Sequence, residues 1–234
     1  MLKIFDTGKN SAEKNMLLDA ELLKNLGDTP ILHFYDWEGD SLTYGYFLKP
    51  EKLLDLEELK KQNISFARRP TGGGIVFHIW DLAFSFLMPA GHPSFSLNPL
   101  DNYRFVNQIV LNAMEDCFGS KLALTPEHFP NVANTSENFC MARPTKYDVI
   151  KKGIKIAGAA QRLTKAGYLH QGTISLVKPD RDLLIPILKG NKELVDAMER
   201  HAFCPLGNEK NKLYETRKNI QNYLTKHFSN NELS

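Results

Sequence analysis

The chain has 234 residues, of which 42% are hydrophobic, and this is enough to build one large domain with a sizeable core. Lysine and arginine exceed aspartate and glutamate by only two, 29 against 27, so the overall charge does not indicate a nucleic-acid-binding protein. No apolar run approaches the ~20 residues that cross a bilayer, and the first residues lack the apolar stretch of a signal peptide. We therefore expect a cytoplasmic protein with neither nucleic acid nor membrane as a partner.

The first predicted element is a helix over SAEKNMLLDAELLKN. Ser11 can cap its start, and Gly27 follows its end. The spacing predicts that its buried stripe is formed by four leucines, Leu17, Leu18, Leu22 and Leu23.

Strands and helices then alternate along the chain. In chain order, the pattern predicts strands over PILHFYDWEG and SLTYGYF, a helix over PEKLLDLEELKKQ, strands over NISFARR, IVFHI and LAFSFLM, and a long helix over DNYRFVNQIVLNAMEDCFG. The next segment, LTPEHFPNVANTSENFCMARPTK, shows no sustained period and is predicted as a long functional loop. A three-stranded meander over YDVI, IKIAGAAQRL and YLHQGTISLV precedes a helical tail at about 181–230.

This order of elements predicts an α+β fold, with a mixed or antiparallel sheet and flanking helices. We expect residues 1–234 to form a single domain.

The stretch RRPTGGGIVFH contains the first candidate site. Three consecutive glycines between two strands allow a ligand to approach the backbone and leave amide groups free for its oxygens, while two arginines can neutralise an anion. A tight hairpin with an ordinary sheet histidine is the alternative. The candidate binding residues here are Arg68, Arg69, Thr71, Gly72, Gly73, Gly74 and His78.

Lys155 is the second candidate, within GIKIAGAAQRL. Strand periodicity places its side chain on the same face as Ala157, Ala159 and Gln161, with Gly158 adjacent. Small residues on that face leave room for a ligand next to the ammonium. The alternative is an edge-strand lysine that discourages aggregation.

Cys140 is the third candidate because it lies in the irregular segment, close to Arg143 and Lys146, and neighbouring cations favour a thiolate. A packed thiol is the alternative. Cys117 and Cys204 are interpreted as structural. The three cysteines are too few and too scattered for a disulfide framework, and His201 with Cys204 has no second pair to complete a metal site, so we expect no metal.

Three stretches together, RRPTGGGIVFH, GIKIAGAAQRL and YLHQGTISL, resemble the catalytic domain of the lipoate-protein ligase and octanoyltransferase superfamily, which is related to biotin protein ligase. The resemblance extends to about residue 185. It implies a class II synthetase-like α+β fold, an acyl tunnel beneath the glycine loop, and Lys155 in contact with the acyl carbonyl. The substrate-binding residues that it implies in the last two stretches are Gly158, Ala159, Gln161, His170 and Gly172.

Two chemistries are open within this superfamily. Octanoyltransferases of the cysteine type move octanoate from acyl carrier protein onto their own cysteine, whereas ligases activate lipoate with ATP and Mg. Cys140 with KYDV before Lys155, the stretch IWDLAFSF in place of the Asp-Leu-Gly-Asn of ligases, and the short remainder after the helical tail favour the transferase. The glycine run TGGG is closer to the ligase form.

The resemblance therefore implies protein lipoylation. An octanoyl or lipoyl group would be attached to a lysine of a lipoyl-domain protein, such as a 2-oxoacid dehydrogenase E2 subunit or the glycine cleavage H protein, through a Cys140 thioester. No tightly bound cofactor is expected. An ATP-dependent ligase that forms lipoyl-AMP is the first alternative, and a non-catalytic module that binds a lipoyl domain or an acyl group is the second.

Overall fold

In the computed structural model, which describes residues 1–128 and 138–231, the strands form two sheets. The larger sheet is antiparallel except at one edge, where its first strand runs parallel to the second. Its strands, in their order across the sheet, are β1 (Lys3–Asn10), β2 (Ile31–Trp37), β6 (Asp81–Pro89), β10 (Gly167–Ser175), β9 (Ile154–Leu163), β8 (Val149–Lys151) and β7 (Ala123–Leu124).

The smaller sheet has three strands. The middle strand runs parallel to one neighbour and antiparallel to the other. In their order across the sheet they are β4 (Ser65–Arg68), β3 (Ser41–Tyr44) and β5 (Ile75–His78). Both sheets are therefore mixed, as predicted.

Helices flank both sheets. The α-helices are α1 (Ala12–Lys24), α2 (Leu56–Lys61), α3 (Pro99–Phe118), α4 (Arg181–Ile187), α5 (Lys192–His201) and α6 (Leu213–Asn231), and short 3₁₀ turns lie at Pro50–Lys52 and Lys210–Lys212. The Ser11 side chain caps α1 by accepting from the backbone amide of Lys14, as predicted. Gly119 ends α3 in the left-handed conformation that glycine adopts without a steric penalty.

Among the described residues, the two largest apolar clusters form the main cores. The larger core contains inward-facing side chains of β6 and β10, such as Phe84 and Tyr168, together with residues of α3 and α6. The smaller core joins the three-stranded sheet to α2, α4 and α5, with Leu42 and Phe77 among its buried members. Where the two sheets meet, strands of both contribute polar side chains to the wall of one cavity.

The fold class is confirmed, but one strand is absent from the predicted elements and two local predictions are wrong. Strand β1 was not predicted because it is an exposed edge strand with no apolar alternation. The buried face of α1 is not the leucine stripe, since Leu17 is 56% exposed, and consists of Ala12, Asn15, Met16, Asp19 and Leu23. The helix predicted after Pro50 is a 3₁₀ turn followed by the short α2.

Part of the predicted long loop, residues 129–137, lies outside the described residues. Helices α4, α5 and α6 lie within the predicted C-terminal helical tail. The organisation as a single domain stays a prediction. Among the described residues, no helix has the length and apolar character needed to span a membrane.

Candidate active site

A slot opens where the two sheets meet, and both Cys140 and Lys155 line it. Strands of both sheets contribute to its wall, and Met16 of α1 closes one side. Besides the candidate cysteine and lysine, its polar lining comes from Tyr35, Thr43, Arg69, His78, Gln171, Thr173 and Ser175.

The Lys155 ammonium is held by a buried carboxylate. Its Nζ lies 2.8 Å from Oδ2 of Asp148, with 10% of the lysine side chain and none of the aspartate side chain exposed. The aspartate also accepts hydrogen bonds from the Tyr103 hydroxyl at 2.6 Å and from the Thr145 backbone amide and hydroxyl at 2.6 and 2.9 Å. With its acceptors satisfied in this way, Asp148 fixes the ammonium in one place.

The face occupied by Lys155 differs from the prediction. One step along β8, from Val149 to Ile150, corresponds to two steps along β9, from Ala157 back to Lys155, so a bulge interrupts the alternation. A β-carbon added to Gly158 would lie 2.5 Å from Lys155 Nζ, and Lys155 therefore shares the face of Gly158 rather than that of Ala157, Ala159 and Gln161. The absence of a side chain at 158 makes room for the ion pair.

Cys140 is partly exposed and is positioned by the start of β5. Its backbone amide donates to the Ile75 carbonyl at 3.1 Å, and the Ile75 amide donates to the Asn138 carbonyl at 2.6 Å. The two chains approach so closely that a β-carbon at Gly74 would lie 2.4 Å from the Asn138 oxygen. The third glycine of the run therefore brings the cysteine segment against the glycine loop.

Arg69 holds the glycine loop from inside. The guanidinium is 3% exposed and donates to the carbonyl oxygens of Gly72 at 3.1 Å and Gly74 at 2.6 Å, and to the hydroxyl of Thr43 at 2.9 Å. On the outer side, Gly45 makes room for the loop, because a β-carbon there would lie 1.9 Å from the Gly73 oxygen. These contacts fix the loop conformation.

His78 forms part of a hydrogen-bonded row beside the slot. Its Nε2 lies 2.8 Å from the Thr43 hydroxyl, its Nδ1 lies 2.7 Å from Oδ2 of Asp81, and its ring stacks on Trp37 with centroids 4.1 Å apart. Burial opposes ionisation of Asp81, but the charge and hydrogen bond of His78, with Thr173 and Arg217, outweigh it and lower the pKa of this carboxyl. These contacts fix the orientation of the His78 ring at the wall of the slot.

A second polar network lies beneath the loop. Asp19 of α1 accepts from Gln171 at 2.6 Å and Ser85 at 2.5 Å, and its other oxygen is 2.8 Å from His33 Nδ1. The Thr71 hydroxyl donates to the Gln171 side-chain oxygen at 2.8 Å. This network ties the loop to α1 and to the central strands of the larger sheet.

The slot brings together seven of the residues predicted from the sequence, namely Arg69, His78, Cys140, Lys155, Gly158, Ala159 and Gly172. Arg68 faces a neighbouring groove, where it lies over the Tyr46 ring, and Gly72, Gly73 and Gln161 line another. Thr71 is buried in the network described above. His170 is fully buried in the larger core, where burial lowers its pKa to about 3.

Sequence reasoning missed Asp148, Tyr103, Thr43, Gln171 and Asp19 as members of the site. For two of them the sequence contains a signal. Asp148 stands immediately before β8, and Asp19 is a charged residue within an apolar helical stripe. Burial raises the pKa of the Cys117 thiol and raises that of Cys204 to about 11, so neither is readily ionised. Within the described ranges, no group of three or more metal-ligating side chains is assembled.

Comparison with known proteins gives consistent results. A family model described as the lipoyl protein ligase A/B catalytic domain matches residues 11–213. The octanoyltransferase LipM of Anoxybacillus flavithermus is 32% identical over 208 residues, which cover 86% of this chain and 74% of that protein. The octanoyltransferase LipM of Bacillus subtilis is 28% identical over 205 residues, which cover 85% and 74%.

Solved structures of similar fold come from Thermoplasma acidophilum. A putative lipoate protein ligase with bound lipoic acid is 26% identical, covers 98% of this chain and 85% of its own, and superposes with a TM-score of 0.71. A bipartite lipoate protein ligase, described with its E2 lipoyl domain, is 27% identical, with coverage of 98% and 83% and a TM-score of 0.73. With the matched family model, these likenesses show that the chain belongs to the family of lipoyl protein ligase A/B catalytic domains, acyltransferases and ligases of protein lipoylation.

Proposed function

We propose that this protein is an octanoyl or lipoyl transferase that carries the acyl group as a thioester on Cys140 and passes it to a lysine of a lipoyl-domain protein. The observation that carries the proposal is that Cys140 and the buried ion pair of Lys155 with Asp148 meet in one slot. A ligase that works through an acyl-adenylate has no need of a cysteine at this position.

The chemistry takes two acyl transfers. In the first, the Cys140 thiolate attacks the carbonyl carbon of a donor thioester, the carrier thiol leaves as a thiolate, and a proton restores it to the thiol. In the second, the acceptor lysine amine attacks the Cys140 thioester, an amide forms, the amine loses a proton and Cys140 leaves as the thiolate. Each step develops an oxyanion, and the fixed ammonium of Lys155 can donate a hydrogen bond to it.

The comparisons support the octanoyl group and the lipoyl-domain acceptor. The relatives named above are octanoyltransferases, and one structural neighbour is a ligase described with its E2 lipoyl domain. We infer that the acceptor is an E2 lipoyl domain or the glycine cleavage H protein and that the donor is octanoyl-acyl carrier protein. A reducing cytoplasm suits the free thiol that this mechanism requires.

The second candidate function is that of an ATP-dependent lipoate-protein ligase. A structural neighbour of this chain with 26% identity and a TM-score of 0.71 is a lipoate-protein ligase A bound with ATP, and that observation favours this alternative. In this case Lys155 would hold the carbonyl of lipoyl-AMP, and ATP with Mg would be required as substrates. Cys140 would then be dispensable.

A single assay separates the functions. Purified protein is mixed with a lipoyl domain and either octanoyl-acyl carrier protein or lipoate with ATP and Mg, and the mass of the domain is measured. We expect modification with the first donor alone, together with one hydroxylamine-labile acyl group on Cys140 by intact mass. Modification only with lipoate and ATP establishes the ligase, and modification with neither donor contradicts both enzymatic functions.

A further inference from the structure

We propose that Arg68 and Arg162 form an anion site, in the groove next to the slot, that binds the phosphate on the prosthetic arm of the acyl donor. The proposal rests on the proposed function, because an acyl carrier protein holds its acyl group as the thioester of a phosphopantetheine arm. It gives a task to two arginines that do not line the slot itself.

The groove and the slot lie side by side, because Met16 and Arg69 contribute to the walls of both. Three parts of the fold meet at the groove, namely α1, the smaller sheet and the end of β9. A pantetheine arm holds its phosphate away from its sulfur. A donor whose sulfur lies in the slot therefore needs a phosphate site in a neighbouring cavity, and the groove is such a cavity.

The two arginines converge on one aromatic ring. The Cζ atoms of Arg68 and Arg162 lie 4.9 and 6.0 Å from the centroid of the Tyr46 ring. Arg162 is also fixed by a hydrogen bond of 3.0 Å from its Nη1 to the Pro70 carbonyl. A guanidinium held against a ring keeps its planar set of donors, and this set matches the oxygens of a phosphate.

The charge of the groove distinguishes between the two substrates. Its charged lining consists of Arg68, Arg69, Arg162 and one carboxylate, that of Glu13. Among the described residues, neither Arg68 nor Arg162 forms an ion pair, so the groove presents a net positive charge. The acceptor brings a lysine ammonium, which this charge repels, whereas the donor brings a phosphate, which it attracts. The groove therefore suits the donor.

Apolar side chains at the groove favour a donor that is attached to a protein. Leu17 lines the groove and is 56% exposed, and Phe47, which is 89% exposed, packs edge-on against the Tyr46 ring with centroids 5.2 Å apart. Large apolar side chains exposed beside a polar site are typical of a contact with another protein. The occupant is therefore the arm of an acyl carrier protein, although a free coenzyme A thioester has the same phosphopantetheine chemistry.

The test compares octanoyl-phosphopantetheine with octanoyl-pantetheine, two donors that differ only in the phosphate, by the rate of octanoyl transfer to a purified lipoyl domain. We expect the kcat/KM of the wild type to be about tenfold higher with the phosphate, the order of one hydrogen bond to a charged group. Arg68→Met should remove this preference, and Arg68→Lys should keep most of it. Arg200→Met, which removes an exposed arginine of α5 outside both cavities, is the matched control and should keep the wild-type preference.

A second comparison tests the carrier protein. Phe47→Ser should raise the KM for octanoyl-acyl carrier protein and leave the KM for octanoyl-phosphopantetheine unchanged. Equal effects on both donors, or no effect on either, would overturn the assignment to a carrier protein. If Arg68→Met affected only the carrier-linked donor, the groove would bind the protein surface of the carrier and the phosphate assignment would be wrong.

The anion site is overturned if the wild type uses the two small donors equally well, or if Arg68→Met lowers kcat/KM for both alike. It is also overturned if the preference is lost instead in Lys146→Met, which changes the groove on the other side of the glycine loop. Failure of the proposed function is seen separately. Calorimetric binding of phosphopantetheine and of pantetheine to Cys140→Ala needs no turnover, so phosphate-dependent binding without any acyl transfer in the wild type would support the site and contradict the transferase.

Discussion

Gly158 lies directly against the Lys155 ammonium, because a β-carbon at 158 would be 2.5 Å from Lys155 Nζ and 2.6 Å from Asp148 Oδ1. Glycine is required at position 158 because a larger side chain would collide with Lys155 and Asp148. The backbone conformation is not the reason, since it lies outside the left-handed region. The contact shows that the strand is shaped around the ion pair.

We expect Gly158→Ala to displace Lys155 and reduce acyl transfer by about 10²-fold, the order of effect found when one oxyanion donor is lost. The added methyl cannot be accommodated without moving a terminal group of the buried pair. Transfer to a purified lipoyl domain, followed by mass spectrometry, measures the effect. Gly91→Ala is the matched control, because a β-carbon there has no atom within 4 Å. Equal activity of the two variants would contradict the assigned position of Lys155.

Cys140→Ala should abolish transfer from octanoyl-acyl carrier protein and prevent acylation of the enzyme. The fold should persist, since the thiol is partly exposed and the segment is held by backbone hydrogen bonds that alanine also makes. Intact-mass measurement after mixing with donor reports the acyl-enzyme. Cys117→Ala, which removes a half-buried thiol at the end of α3, should remain active. A wild-type rate for Cys140→Ala would leave the ligase as the surviving function.

Lys155→Met should reduce transfer by about 10²-fold or more, whichever donor is used, because both chemistries need a charged donor at the carbonyl oxygen. Lys155→Arg should recover little of the activity, since the planar guanidinium differs in shape and reach from the compact ammonium. The control is Lys152→Met, on the exposed turn between β8 and β9. If Lys155→Met matched this control with both donors, the slot would not be the acyl site.

Lys155→Met should also lower the free energy of unfolding, by about 3–5 kcal/mol, because it leaves the carboxylate of Asp148 buried without its cation. The double variant Asp148→Asn with Lys155→Met should recover most of this loss, while its acyl transfer stays low. Chemical denaturation of the single and double variants measures the difference. A double variant as unstable as Lys155→Met would show that the ion pair is not the origin of the loss.

His170 should make the protein sensitive to mild acid. Its pKa is about 3 in the folded state and 6.5 in its ordinary state, so between these values the unfolded chain binds a proton that the folded chain does not. Neutral, buried His170 therefore makes its full contribution to the free energy of unfolding above pH 6.5. Below that pH the contribution falls by about 1.4 kcal/mol per pH unit as the pH drops toward 3. His170→Phe should remove this slope from denaturation curves measured between pH 6.5 and 4. A slope identical to the wild type would mean that His170 is solvated.

The sequence by itself determined the fold class, most of the strands and helices, and the family. These follow from local signals. Apolar alternation predicts strands such as β6, Ser11 marks the start of a helix, and the family is recognised from three short contiguous stretches, RRPTGGGIVFH, GIKIAGAAQRL and YLHQGTISL. Cys140 and Lys155 could be selected in the same way. A glycine run and a lysine among small residues are visible without any knowledge of what they contact.

The tertiary structure decided the face and the partners of each site residue. Strand periodicity places Lys155 with Ala157, but the bulge that moves it to the side of Gly158 depends on pairing with β8, which the pattern within β9 does not contain. The edge strand β1 shows no apolar alternation and is recognised only by its pairing with β2.

Buried polar partners come from distant segments. Asp19 meets Gln171 across 152 residues of chain, and Tyr103 meets Asp148 across 45. Burying a carboxylate is favourable only when such donors converge on it, and convergence is a property of the packed elements rather than of any one of them. The sequence therefore identified which residues could react, and only the folded chain showed which of their charges are already neutralised.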